Sequence, residues 1–236
     1  MEKFFTETFN RTKEGARTYL IALKSAFNKA IKWGYLSDNV FNQIKIPSIP
    51  RNNPLFINEV ELNQILKNVN NPNLVDLYTF AFHTGMRLGE IINLTWNQVT
   101  LSEKLIRVAN TKEFMIKGKK ERVIPINEKL FKLLSNKLTK YYTLQEPEYV
   151  FNKNGFRFNA DYISKCFKKT VRTIKGINQG LHFHSLRHSF ASNLAKNGVS
   201  LFIIKELLGH RDISTTQIYS HLTVDALRNA VKVLEG

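Results

Sequence analysis

"NQVTLSEKLIRVANTKEFMIKGKKERVIPI", residues 97–126, decides the fold class. Most of the chain carries helical periodicity. Within this span, however, "NQVTL", "KLIRVAN" and "RVIPI" have the alternation and β-branched content of three short strands, and "TKEFMIKGKKE" connects the last two. Strands so close in sequence pair antiparallel. Around them, helices are expected over roughly 57–69, 73–83, 86–95, 127–142, 160–174, 184–197, 200–208, 214–221 and 223–235. The reading is α+β: a mostly helical domain with a small three-stranded antiparallel sheet, preceded by a partial helical domain.

Upstream, Ala16, Tyr19, Leu20, Leu23, Phe27 and Ile31 recur at helical spacing until Gly34, and a shorter helix fits Ser37 to Gln43. "IKIPSIPRNNP" (44–54) has three prolines and two asparagines and resists both helix and ladder, so it reads as a linker. The expected division is a helical segment over 1–46, a linker over 47–55 and the main domain over 56–236. Two helices make a poor core by themselves, so the first segment reads as the tail of a helical domain whose beginning is absent.

The 236 residues include 35 Lys and Arg against 19 Asp and Glu, a formal charge of +16, together with 17 Phe. Ample core material excludes a disordered basic tail, and the charge favours a polyanionic partner, most often nucleic acid. Residues 160–211 alone carry nine basic and two acidic side chains, so the excess is concentrated. Lys165, Lys168, Lys169, Arg172 and Arg211 lie there, and Lys112, Lys119, Lys120 and Arg122 lie in or beside the turn of the strand region; all are candidate DNA contacts. The single Cys166 offers neither a disulfide framework nor a Cys-rich metal site. With no bilayer-length apolar run and no signal pattern at the start, the expectation is a soluble, cytoplasmic protein without a membrane partner.

Several stretches carry reactive side chains. In "LHFHSLRHSF" (181–190), His184 and Arg187 share a helical face, while His188, four residues after His184, competes for its role. In "HTGMRLGEI" (83–91), Arg87 sits near a helix start, suited to an anion; Glu90 either pairs with it or buttresses a neighbouring His or Arg. In "MIKGKKER" (115–122), Gly118 marks a bend with Lys117 at its edge, able to enter a cleft or simply meet a phosphate. In "LLGHRDISTTQIYSH" (207–221), Ser200 caps the preceding helix, Gly209 ends it and His210 follows. Ser214 and Gln217 have capping-box spacing for a helix bearing Tyr219. A lone tyrosine there is more often core than nucleophile. Taken together, two guanidiniums, two imidazoles, a lysine and a tyrosine supply everything that phosphodiester transesterification requires without a metal.

The ordered series "HTGMRLGE", "IKGKKERVIPI", "HSLRHSFAS" and "LLGHRDISTTQIYSH" resembles the tyrosine recombinase, or phage integrase, family from about residue 55 onward. The first 50 residues resemble the last helices of its DNA-clamping core-binding domain. The resemblance implies site-specific cleavage and rejoining of double-stranded DNA through a 3′-phosphotyrosyl intermediate, with neither metal nor ATP and no cofactor. It gives Tyr219 the role of nucleophile, Arg87 and Arg187 that of phosphate clamps, and Lys117 that of general acid. His184 would assist deprotonation of the nucleophile, His210 would position the phosphate, and Glu90 would support the site. The turn before the last strand is longer than in the shortest members, which leaves Lys112 as a rival to Lys117. The resemblance further implies a tetrameric homo-oligomer on DNA, with exchange of the C-terminal helix that bears Val224, Leu227, Val231 and Leu234, and a prokaryotic, phage or mobile-element origin acting at the nucleoid. Two other readings compete: a type IB topoisomerase-like enzyme that relaxes DNA, and a truncated DNA-binding fragment without recombination activity.

Overall fold

The computed structural model describes residues 2–45, 54–111, 113–116, 121–144, 149–222 and 231. The chain forms two compact units, Met1–Asn53 and Pro54–Gly236. In the first, α1 (Glu2–Arg11) precedes α2 (Lys13–Lys32). The predicted Ser37–Gln43 helix is instead a 3₁₀ turn over Val40–Gln43. Its start is fixed by Asn39, whose side chain accepts from Phe41 N while its amide donates to Lys24 O and Asn28 Oδ1. Leu20, Phe41 and Ile44 form a small core, and Phe27 meets Phe41 edge-on. The α1 helix was outside the periodicity read from Lys13 onward. Of the expected linker over 47–55, residues 47–53 lie outside the described residues.

The second unit starts with α3 (Glu59–Lys67), whose Asn58 and Glu61 form a reciprocal capping box. Then come α4 (Pro72–Thr84) and the short α5 (Leu88–Ile92), separated because Gly85 is left-handed and Arg87 is extended. The three predicted strands form as β1 (Val99–Thr100), β2 (Leu105–Val108) and β3 (Arg122–Pro125), antiparallel in the order β1-β2-β3. Ile106 faces Ile124 and Val108 faces Arg122 across the ladder. Pro125, which cannot donate to a ladder, is tolerated because β3 is an edge strand. Next are α6 (Glu128–Leu144), a hairpin of β4 (Asn152–Lys153) and β5 (Phe156–Arg157), α7 (Ala160–Thr173), α8 (Phe183–Lys196) and α9 (Leu201–Leu208). The hairpin is an addition to the predicted elements. Asn154 and Gly155 both have positive φ at its turn, the conformation that an Asn-Gly pair favours. Arg157 ties it to α5 by donating to Asn93 Oδ1 at 2.6 Å.

The main core is formed by inward faces of α3, α4, α6, α7 and α8 and of the sheet, with Leu77, Phe80, Ile106, Ile124, Phe167 and Leu186 fully enclosed. A second cluster joins Ala191, Ala195, Ile204, Leu208 and Tyr219. The α-helix predicted over 214–221 is two 3₁₀ turns, Ile213–Thr215 and Gln217–Leu222. The expected Ser214–Gln217 box gives way to i→i+3 bonds, including Tyr219 N to Thr216 O, because the Thr216 side chain is buried and engaged elsewhere. Among the described residues, no helix is long and apolar enough to cross a membrane. Of the predicted 223–235 helix, only Val231 lies within the described residues, and it is helical.

Gly85 is where α4, α8 and α9 converge. At its φ of 62°, an added Cβ would stand 2.5 Å from the Phe190 ring and 3.0 Å from Leu208. Gly85→Ala is therefore expected to destabilise the unit by more than the ~1–2 kcal/mol of left-handed strain alone, measured by urea unfolding.

Candidate active site

The site is built on one buried carboxylate. Glu90, on α5, has a side chain that is 1% exposed and receives four donors. Arg87 N donates to Oε2 at 2.9 Å and Arg87 Nη1 to Oε1 at 3.0 Å. Arg122 adds Nη2 to Oε2 at 2.6 Å and Nη1 to Oε1 at 3.2 Å. Burial opposes its ionisation, but the bonds and charges of Arg122 and Arg87 prevail and hold its pKa below the ordinary carboxylate value. Both open roles of Glu90 are thus realised at once: it pairs with Arg87 and braces a second arginine.

Arg122 corrects the sequence reading. Assigned as a DNA contact on its charge, it is buried, with a side chain 4% exposed; its Nε donates to Leu207 O at 2.8 Å. On β3 it shares the inward face with Ile124, while Val123 points out and is 49% exposed. The period of two in "RVIPI" contained this signal, and the charge obscured it. Lys168 is likewise engaged, its Nζ reaching Gln179 O and Leu181 O and so anchoring the chain before α8. By contrast Lys165, Lys169 and Arg172 line the exposed side of α7, opposite buried Ile163, Phe167 and Val171, and Arg211 is exposed after α9. Lys112, Lys117, Lys119 and Lys120 lie outside the described residues.

Arg187, on α8, is buried and donates Nη1 to Gly85 O at 2.7 Å and Nη2 to Leu208 O at 2.6 Å. These carbonyls stand at the ends of α4 and α9, where helices leave acceptors unpaired. Burial and then Arg87 press its pKa down to about 9, which leaves it cationic at neutral pH. Arg87 is the more accessible of the two, its side chain 23% exposed.

His210 is buried behind Gly209, and its Nδ1 lies 2.9 Å from Thr216 Oγ1, a contact that fixes the ring. Thr216 was not singled out in the sequence; its place inside the "STT" run gave no signal. Tyr219 is 1% exposed, its ring in the second core cluster and its hydroxyl 2.6 Å from His188 Nδ1. It is therefore core and reactive group together. Burial raises the phenol pKa to about 12, partly offset by Arg187. His184 does not fill the place beside the hydroxyl; its ring packs edge-on against His188, centroids 4.9 Å apart. Burial comes first among the causes that lower all three imidazoles, His210 and His188 to about 4, with neighbouring cations adding to it.

Three guanidiniums, neutral imidazoles and a buried phenol thus gather beside the ends of α4 and α9, a set whose chemistry suits a phosphate ester. The phage integrase family model matches residues 56–225, and the chain belongs to that family, whose members are tyrosine recombinases. It is 31% identical over 220 residues to a tyrosine recombinase of Thermosipho africanus, covering 92% of this chain and 74% of the relative. It is 29% identical to XerD of Lacticaseibacillus casei, covering 93% of this chain and 76% of the relative. Its fold is similar to the Tn1549 transposon integrase solved in complex with a circular intermediate DNA, at a TM-score of 0.78 and 18% identity over 98% of this chain and 83% of that one. A lambda integrase dimer bound to a COC′ core site gives a TM-score of 0.73 at 18% identity, over 94% and 64% of the two chains.

Two outcomes test this geometry. Arg122→Ala leaves Glu90 short of two bonds and should cost ~3–5 kcal/mol in urea unfolding, while the salt dependence of DNA binding by the folded fraction stays unchanged. The second concerns acid. Imidazoles whose folded pKa is depressed add stability above their ordinary value of 6.5 and lose it as pH falls toward about 4. The calorimetric Tm should therefore fall steadily across that window, and less steeply in His210→Asn.

Proposed function

We propose that this chain is a site-specific DNA recombinase in which Tyr219 attacks a DNA phosphate to form a 3′-phosphotyrosyl bond. Arg87 and Arg187 hold the non-bridging oxygens and stabilise the charge that gathers there as phosphorus becomes five-coordinate. His210, fixed by Thr216, presents its other ring nitrogen to the phosphate. Lys117 protonates the departing 5′ oxygen, with Lys112 the rival for that role. Glu90 supports the clamp through Arg87. The observation that carries the reading is the convergence of Tyr219 and Arg187 in one enclosed site, from segments far apart in the chain.

The covalent bond keeps the energy of the cleaved phosphodiester, so rejoining needs no ATP. Double-stranded DNA fits the formal charge of +16 and the exposed row of Lys165, Lys169 and Arg172, which suits phosphate contacts that orient the duplex. The first unit, Met1–Asn53, would serve as a partial core-binding segment that adds its own DNA contacts. Assembly into a tetrameric synapse with exchange of the C-terminal segment belongs to the same reading. So does action at the nucleoid.

On nicked duplexes carrying the DNA that flanks its gene, the native protein should form a detergent-resistant protein–DNA adduct. Tyr219→Phe keeps the ring and its packing but removes the attacking oxygen, and should abolish the adduct with binding retained. An adduct that survives in this variant would remove Tyr219 from the role.

A further inference from the structure

The Tyr219 hydroxyl has a partner to which the family resemblance gives no role. His188 Nδ1 lies 2.6 Å from it, with ring centroids 6.0 Å apart. Building on the strand-cleavage reading, we propose that His188 is a catalytic residue: it accepts the Tyr219 proton during cleavage and returns it during rejoining. His184, against the edge of His188, is a positioning residue for it.

Three observations carry this assignment. His188 follows Arg187 directly on α8, so the group that clamps the phosphate and the group that takes the proton are held by one rigid turn. With its proton on Nε2, the ring turns the Nδ1 lone pair toward the hydroxyl, which then donates. The ring also enters the reaction neutral, because burial first and then His182 and Arg187 hold its pKa near 4. The titratable groups around it are His182 at the N-cap of α8, His184 and Arg187 on α8 itself, Tyr219 from the 3₁₀ turn and His210 from the loop after α9. A phosphate bound between Arg87 and Arg187 brings negative charge into this cationic field. It raises the basicity of His188 when substrate is in place.

The step balances. Tyr219 Oη forms its bond to phosphorus as its proton passes to Nδ1; the bond from phosphorus to the 5′ oxygen breaks, and that oxygen takes a proton from the general acid, Lys117 in the reading above. On rejoining, the 5′ hydroxyl attacks phosphorus and returns its proton to the lysine, the Oη bond breaks, and Nδ1 gives its proton back to Oη.

His188→Asn tests this, because its amide can occupy the place of Nδ1 and hydrogen-bond the phenol but cannot take up a proton near neutrality. Single-turnover adduct formation on the nicked duplex should be slower by roughly a hundredfold at pH 7, and should rise with pH where the native rate is level. The deficit should persist on a duplex with sulfur in place of the bridging 5′ oxygen, which relieves only the need for a general acid. A native-like rate and pH profile, or rescue by the sulfur substrate, would overturn the proposal. So would loss of the pH plateau in His184→Asn but not in His188→Asn. Should the variant fail to fold, nitrogen-15 NMR of the native protein decides instead: His188 must carry its neutral proton on Nε2, and a proton on Nδ1 sinks the idea. If the native protein forms no adduct at all, the strand-cleavage reading falls and this inference with it; an adduct combined with an unaltered His188→Asn profile removes this inference alone.

Discussion

A carboxylate shut away from water must be compensated, and Glu90 is compensated by side chains that each hold a different part of the catalytic unit. Arg87 belongs to the start of α5 and Arg122 to β3, and Arg122 reaches on to Leu207 O at the end of α9. Desolvating such a pair costs several kcal/mol that its mutual attraction roughly returns, so the pair adds little to net stability. What it adds is position. If Glu90 moved, the helix start presenting Arg87 and the helix end that accepts Arg187 would lose their common reference.

The same enclosure explains the state of the tyrosine. Packing its ring with Ala191, Ala195, Ile204 and Leu208 fixes the direction of the hydroxyl, and it also removes water that would stabilise a phenolate. The phenol is therefore held protonated, a poor nucleophile until an acceptor takes its proton. A neutral imidazole stands beside it, His188 Nδ1 at 2.6 Å. After burial, Arg187 is among the groups that keep the His188 and His210 rings uncharged, joined by Arg87 at His210.

The regular parts of this architecture were legible because their periods are local. Three strands in residues 97–126 and the helices from Glu59 to Leu208 follow from spacing alone, as does the cap at Ser200. Most site residues stood out as an ordered series of motifs. What escaped was set by closure of the chain. Arg122 reads as a surface cation until β3 is placed with Ile124 inward. The hairpin of β4 and β5 was overlooked despite its Asn-Gly turn, since its strands are too short for alternation to register. Tyr219 sits on a 3₁₀ turn because Thr216 is drawn inward to His210, a contact that helical spacing cannot express. His188 reads in the sequence only as a rival to His184, and that His188 is the one meeting the hydroxyl is set by tertiary geometry.

Arg87 and Arg187 differ in how their charge is held, and the difference follows from their partners. Arg87 shares Glu90 with Arg122, so a single negative charge is divided between two guanidiniums and neutralises neither. Arg187 has carbonyl oxygens instead, from Gly85 and Leu208. A carboxylate of its own would fix the guanidinium equally well but would cancel its charge and occupy the same N–H groups. Backbone carbonyls satisfy the buried donors and leave the charge in place. Those oxygens are free to do so because they stand at helix ends, where left-handed Gly85 stops α4 and left-handed Gly209 stops α9.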